Sequence, residues 1–307
     1  NSISSQLAGT QGVVRPIGLF YSENQNVSGI TNGINLEIVS GSQEVIGLYG
    51  DKVKKLVNTG NITINATGIG AYLKETALEN IGKIIINGTD AYGIYTESDG
   101  VTEIESKNLG EIQLSGEKSI GIITSKKSKV VNNGTIDANS SGSIGVYVTE
   151  NGKFVNDLGT VINSKIAQIG TKSGSTGIVT KGGIVENKGT INSEYLGIYG
   201  TNGTDRTQIV QSGNLNINSG TGIYLKDDGS TNTVTLNLEE GSAIKTKSSL
   251  NGISAVVGTG NSKIASNGGL IKVNSNSNGI ALIGDTNKAS ILELNGGIIE
   301  TGEDSVG

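Results

Sequence analysis

Apolar residues along the chain come in short alternating runs, never in long blocks, and the runs recur. The clearest surround a G-φ-Y unit whose glycines are Gly18, Gly47, Gly70, Gly93, Gly121, Gly145, Gly177, Gly197, Gly222, Gly252 and Gly279, spaced 20 to 32 residues apart and about 26 on average. The residue before the glycine (−1) is mostly apolar (Ile17, Ile46, Ile69, Ile120, Ile144, Leu196), and the residue after it (+1) always is, as in Leu48, Ile94 and Ile223. A period of two predicts a short strand with −1 and +1 facing the interior, and with the glycine and the residue at +2 facing out. A second landmark, N-x-G-x-φ, alternates with the first from residue 58 onward, in segments such as NTGNI, NIGKI, NNGTI and NKGTI, and opens a similar strand.

Two interleaved landmark series make this a repeat array. Strands this short cannot bury a face alone. Stacked about 4.8 Å apart, each pairs in parallel with its copy in the next coil, and the apolar positions become internal columns. The expected fold is therefore all-β, a right-handed parallel β-helix (β-solenoid) of about 10–11 coils, each of roughly 20–30 residues, forming a rod on the order of 50 Å long. The whole of 1–307 reads as one β-helix, with less regular first coils over 1–40. The chain stops at SVG, inside its own motif, and so reads as a fragment of a longer array. Asn58, Asn80, Asn108, Asn132, Asn187, Asn267 and Asn295 share one turn position, which Asp157, Gln211 and Glu239 take in other coils; a stacked amide ladder with a structural role is expected there. Irregular spacing predicts loop excursions near 163–175 and 226–238, the usual place for recognition on a solenoid.

Composition sharpens the picture. There are 48 glycines, one proline and 4% aromatics, which give many turns and a thin core. No cysteine and no histidine occurs, so a thiolate or His-ligated metal site and a Ser-His-Asp triad are excluded for this chain. The net charge is −5, and the clusters Lys52, Lys54, Lys55 and Lys126, Lys127, Lys129 are too short for a nucleic-acid stripe, so no nucleic-acid partner is expected. No apolar run is long enough to span a membrane as a helix.

Six tyrosines fall at +2: Tyr49, Tyr72, Tyr95, Tyr147, Tyr199 and Tyr224, with Phe20 in the first coil. They should form an outward column, interrupted by Ile123 and Val179. Such a column is either a binding platform for sugars or a protein, or a self-stacked stiffener of the wall. Acidic residues crowd residues 97 to 117 (Glu97, Asp99, Glu103, Glu105, Glu111, Glu117) without a calcium-loop motif, which reads as a solvated edge. The pair Asp227–Asp228 and Asp205 beside Arg206 are the only carboxylates placed to suggest acid–base chemistry. Neither has an aromatic subsite beside it except Tyr224, so no catalytic residue, metal or cofactor is expected.

The SIGIYxxxxxxVxNxGTI style of repeat, in a chain rich in Asn, Ile, Lys and Gly and lacking Cys, resembles the passenger regions of large type V, RadD-like autotransporter adhesins of fusobacteria. The resemblance covers nearly everything beyond residue 40. It implies a non-catalytic virulence-associated adhesin passenger, displayed outside the cell through an outer-membrane β-barrel that is not in this chain, acting as a monomer and binding a host-cell or bacterial surface receptor. The alternatives are a β-helical carbohydrate-processing enzyme of the polysaccharide lyase or glycosidase kind, since such enzymes share the architecture, and a purely structural stalk.

Overall fold

A computed structural model describes residues 2–7, 17–22, 30–40, 44–163, 174–229, 232–247, 253–284 and 288–307. The described residues wind as a parallel β-solenoid of about ten turns and contain no helix. A regular coil has three strands, as in Gly68–Lys74, Ala77–Asn80 and Lys83–Ile86. Each strand pairs in parallel with its counterpart one coil away, so three walls rise around the interior.

The first wall carries the G-φ-Y strands, eleven of them in unbroken order from Ile17–Ser22 to Ser277–Ile283. The second wall ends each strand at the N-x-G corner, as in Lys55–Asn58 and Ser128–Asn132, and the third follows it, as in Ile62–Ile64 and Glu111–Leu114. In the last coils, Ser262–Val273 and Ile291–Thr301 each run through the corner and serve both walls. The first residues also keep register: Ser2–Leu7 pairs with Asn35–Ser40, and Ile30–Asn32 with Lys55–Asn58.

The interior is filled by columns. Leu48, Ala71, Ile94, Ile122 and Val146 come from the first wall, Leu56, Leu78, Val130 and Phe154 from the second, and Ile62, Ile84, Ile112, Ile136 and Val161 from the third; all are essentially inaccessible. Each buried Ile, Leu or Val side chain contributes on the order of 1.5–3 kcal/mol, so the coils are held by many equal increments. At its C-terminal end the last coil leaves Leu294 and Ile298 each 61% exposed.

The orientation expected around the G-φ-Y glycine is wrong at two places. Position −1 does not line the interior and the glycine does not point out. In Tyr92–Glu97, Gly93 and Ile94 are both buried, whereas Tyr92 and Tyr95 on either side are only partly so. The alternation skips at the glycine because the third wall fills its side-chain space: a Cβ on Gly93 would lie 2.4 Å from the carbonyl oxygen of Gly121 and 2.9 Å from Cγ2 of Ile112. Glycine stands there because nothing larger fits. The outer face of the wall consequently has two columns, one at −1 and one at +2.

The excursion expected near 163–175 lies for the most part outside the described residues, which stop at 163 and resume at 174. The one expected near 226–238 is smaller than its spacing implies. Val234–Leu238 is an ordinary second-wall strand paired with Thr207–Gln211, so no excursion covers 234–238, and residues 230 and 231 lie outside the described residues.

Candidate functional site: an aromatic cleft on the first wall

Tyr49, Tyr72, Tyr95, Tyr147, Tyr199 and Tyr224 lie on the outer face, all partly buried. Register sets their spacing: Tyr49 pairs with Tyr72, Tyr72 with Tyr95, and Tyr199 with Tyr224. Ring centroids stand 5.1 Å apart for Phe20–Tyr49, 5.3 Å for Tyr49–Tyr72 and 5.1 Å for Tyr72–Tyr95, with a second group at 5.8 Å for Tyr199–Tyr224. The first pair is stacked, and the next two meet edge to face at 78° and 88°. These are favourable aromatic geometries that stiffen the wall, so much of each ring face is already covered by its neighbour. Tyr147 stands between Ile123 and Val179.

A charged chain anchors the column. The Tyr72 hydroxyl donates to Oε1 of Glu97 at 2.7 Å, and Lys126 Nζ donates to Oε2 of the same carboxylate at 2.7 Å. Burial pushes Glu97 up, but the Lys126 ammonium and the Tyr72 hydroxyl outweigh it and hold the carboxyl below its usual range. The Tyr72 phenol is pushed well above its ordinary value, first by burial and then by the Glu97 carboxylate it serves.

Beside this column lies a cleft of about 330 Å³ that spans three coils. Its apolar surface comes from Ile69, with Ile46 almost wholly buried behind it, its rings from Tyr72, Tyr92 and Tyr95, and its rim from Glu44, Thr67 and Asp90. The rim residues are one column, three before the glycine in successive coils, and all three are exposed. Tyr92 was not among the tyrosines singled out by the repeat. Its signal was available, because its coil alone carries tyrosine at both −1 and +2, but it has no meaning until −1 is known to face outward.

Several of the remaining carboxylates are engaged elsewhere. Asp227 accepts from Asn202 Nδ2 at 2.9 Å and from the amides of Gly229 and Asn261, and it pairs with Lys288 at 2.7 Å. Burial raises its pKa, but Lys288 and those amides more than compensate. Asp205 accepts from the Thr204 hydroxyl. In the acidic stretch, Glu105 pairs with Lys129 at 2.7 Å and Glu111 with Lys83 at 3.0 Å, while Asp99 accepts from the amides of Val101 and Thr102. Among the described residues no three acidic side chains converge as a metal site would need.

The amide ladder runs inside the N-x-G corner. Asn32 donates to Asn58, Asn58 to Asn80, Asn80 to Asn108 and Asn108 to Asn132, each at 2.8 Å; Asn132 donates to Asn156 at 2.9 Å, Asn156 to Asn187 at 2.8 Å, and Asn187 to Gln211 at 3.0 Å. Three corrections follow. Asn156, not Asp157, holds the ladder place, because that coil has one extra residue before Gly159. Asn32 belongs to the ladder although its motif is shortened to NGI. Asn267 and Asn295 do not belong: Leu238 pairs with Gln211 and Ser266 with Leu238, so the inner column turns to Leu and Ser. Asn267 and Asn295 sit one residue further along and bond to each other at 3.1 Å on the exposed side. Gln211 closes the ladder by turning its own Nε2 back to the carbonyl of Gly213 at 2.8 Å.

Comparison with known proteins gives one family. The family model described as the BigA third pectate lyase-like domain matches residues 3–159, a span that contains the cleft. No curated protein and no solved structure matches the chain.

Proposed function

Because the chain belongs to the family of the BigA third pectate lyase-like domain, we propose that it works by display and binding, as a non-catalytic adhesin passenger region on the bacterial surface. BigA is a bacterial autotransporter-like surface protein, and membership implies a surface protein here. The finer reading is a type V passenger held at the outer membrane by a β-barrel, which meets host-cell or bacterial surface partners. The observation that carries it is the cleft of Tyr72, Tyr92 and Tyr95, an amphipathic recess on the flank of a stiff solenoid. Further support is that Asp227, Glu97, Glu105 and Glu111 each form an ion pair that ties coil to coil, a role in the scaffold itself.

The rival reading is enzymatic, favoured by the pectate lyase-like description of the family. Two assays on the purified chain separate them. Beads coated with the chain should attach to epithelial or bacterial cells, and Tyr95→Ala should reduce attachment severalfold. Incubation with polygalacturonate or neutral polysaccharides should release no unsaturated or reducing ends. Release of such ends would establish the enzyme; no attachment at all would leave only a stalk, and attachment unchanged by Tyr95→Ala and by Tyr92→Ala would place the binding surface outside the cleft.

A further inference from the structure

The tyrosine column has an oxidative chemistry of its own, which does not depend on what the cleft binds. We infer that it is a site of covalent modification: under one-electron oxidation Tyr72 couples through its ring to Tyr49 or Tyr95, and Tyr199 to Tyr224, giving dityrosine staples between adjacent coils.

Composition directs oxidising equivalents there. Cys, Met, Trp and His are the side chains that ordinarily surrender electrons or take up oxygen ahead of tyrosine, and this chain has none of the four. Its nine tyrosines are the oxidisable groups that remain. Six of them stand on the outer face of one wall, each partly exposed and so within reach of a reagent arriving from solution.

Geometry then decides which of the six can couple. Two phenoxyl rings join only if they meet before either radical is lost, and strand register holds three pairs together: Tyr49 opposite Tyr72, Tyr72 opposite Tyr95, and Tyr199 opposite Tyr224. Their ring centroids are 5.3, 5.1 and 5.8 Å apart. Paired residues on parallel strands project side by side from one face, so their hydroxyls, and the ring carbons ortho to them, stand at similar heights above the wall. A turn about χ2, the soft torsion of an aromatic side chain, brings the ortho carbons of an edge-to-face pair together. Tyr147 is the built-in control: its register partners are Ile123 and Val179, so a radical formed there has no phenol to join. Tyr72 is the preferred centre, with a tyrosine on each side and a hydroxyl that already donates to Glu97 Oε1 at 2.7 Å, an acceptor for the proton that leaves with the electron.

The step balances with hydrogen peroxide as the external oxidant. Each phenol gives up one electron and its hydroxyl proton, and the two radicals form one carbon–carbon bond between ortho positions. The hydrogens displaced from those carbons pass as protons to the phenolic oxygens and restore both hydroxyls. The pair loses two hydrogen atoms in all, and one peroxide becomes two waters. Each staple would cross-link neighbouring coils in a chain that has no cysteine for a disulfide.

The test treats the purified chain, dilute enough to keep molecules apart, with a haem peroxidase and limiting hydrogen peroxide, and follows dityrosine fluorescence together with the mass and peptide map of the monomer. The monomer should lose two hydrogens per staple. Linked peptides should join Tyr72 to Tyr49 or Tyr95, and Tyr199 to Tyr224, with Tyr147 in no link. Tyr72→Phe combined with Tyr199→Phe should lower dityrosine in the monomer at least fivefold, a mild change because Phe20 already occupies this column opposite Tyr49. Tyr147→Phe should leave the yield unchanged. The inference is overturned if the folded monomer gives no dityrosine, if dityrosine appears only in cross-linked dimers, if the tyrosines gain oxygen without joining, if the double variant keeps the native yield, or if Tyr147 is found in a link within the monomer.

Discussion

At Asn108 one side chain serves three coils: its Oδ1 accepts from Asn80 and its Nδ2 donates to Asn132, while the residue itself is inaccessible. Removing it strands a donor on one side and an acceptor on the other, both buried. Asn108→Ala should cost about 1–3 kcal/mol in urea unfolding, and Asn295→Ala, whose amide bonds on the exposed side, no more than about 0.5 kcal/mol. Glycines divide in the same way. Gly93→Ala drives a Cβ into the carbonyl of Gly121 and should cost about 1–3 kcal/mol, whereas Gly284→Ala meets open space and should be near neutral in the same experiment. The amide position was legible because Asn recurs two before Gly. Its occupants at Asn32 and Asn156 were not, since one deletion and one insertion hide them from a fixed spacing; only strand register reveals which residue faces in.

Between neighbouring coils, strands are tied by charge as well as by backbone ladders. The link from Tyr72 to Glu97 to Lys126 joins three successive first-wall coils. A carboxyl held below its usual pKa adds stability that is fully present above the ordinary value of 4.5 and is lost as pH falls through the lowered one. Unfolding followed against pH should therefore show a steeper acid-side loss in the native chain than in Glu97→Gln; equal slopes would remove the carboxylate from the account. Exposed pairs such as Lys272–Glu300 should contribute little and vanish in salt. The strand positions themselves were readable from the period of two. The side each residue faces was not readable across the G-φ-Y glycine, because the skip in alternation is imposed by Ile112 and its equivalents on another wall, some twenty residues away in sequence.

As a whole the molecule is one-dimensional in its energetics: each coil contacts the one before and the one after, and long-range stability is a sum over neighbours. Amide exchange should be slowest in central coils, around Ile112 and Val130, and fastest in the final one, where Leu294 and Ile298 are exposed. Uniform protection along the rod would contradict nearest-neighbour coupling. The solenoid architecture was fully legible, since two alternating landmark series leave few other ways to bury so many isolated Ile and Val. The cleft was not, because it assembles −3, −1 and +2 positions from three different coils, and none of those columns is unusual when read along a single coil.

The amide seam from Asn32 to Asn187 presents the same donor and the same acceptor at every level. Excising one complete turn between those residues would bring identical groups face to face and leave no orphan, so the length of the solenoid is adjustable in steps of about 4.8 Å by simple recombination. Beyond Gln211 that freedom ends, because a cut there would set an amide against Leu238, and the segment on that side must be inherited as a block.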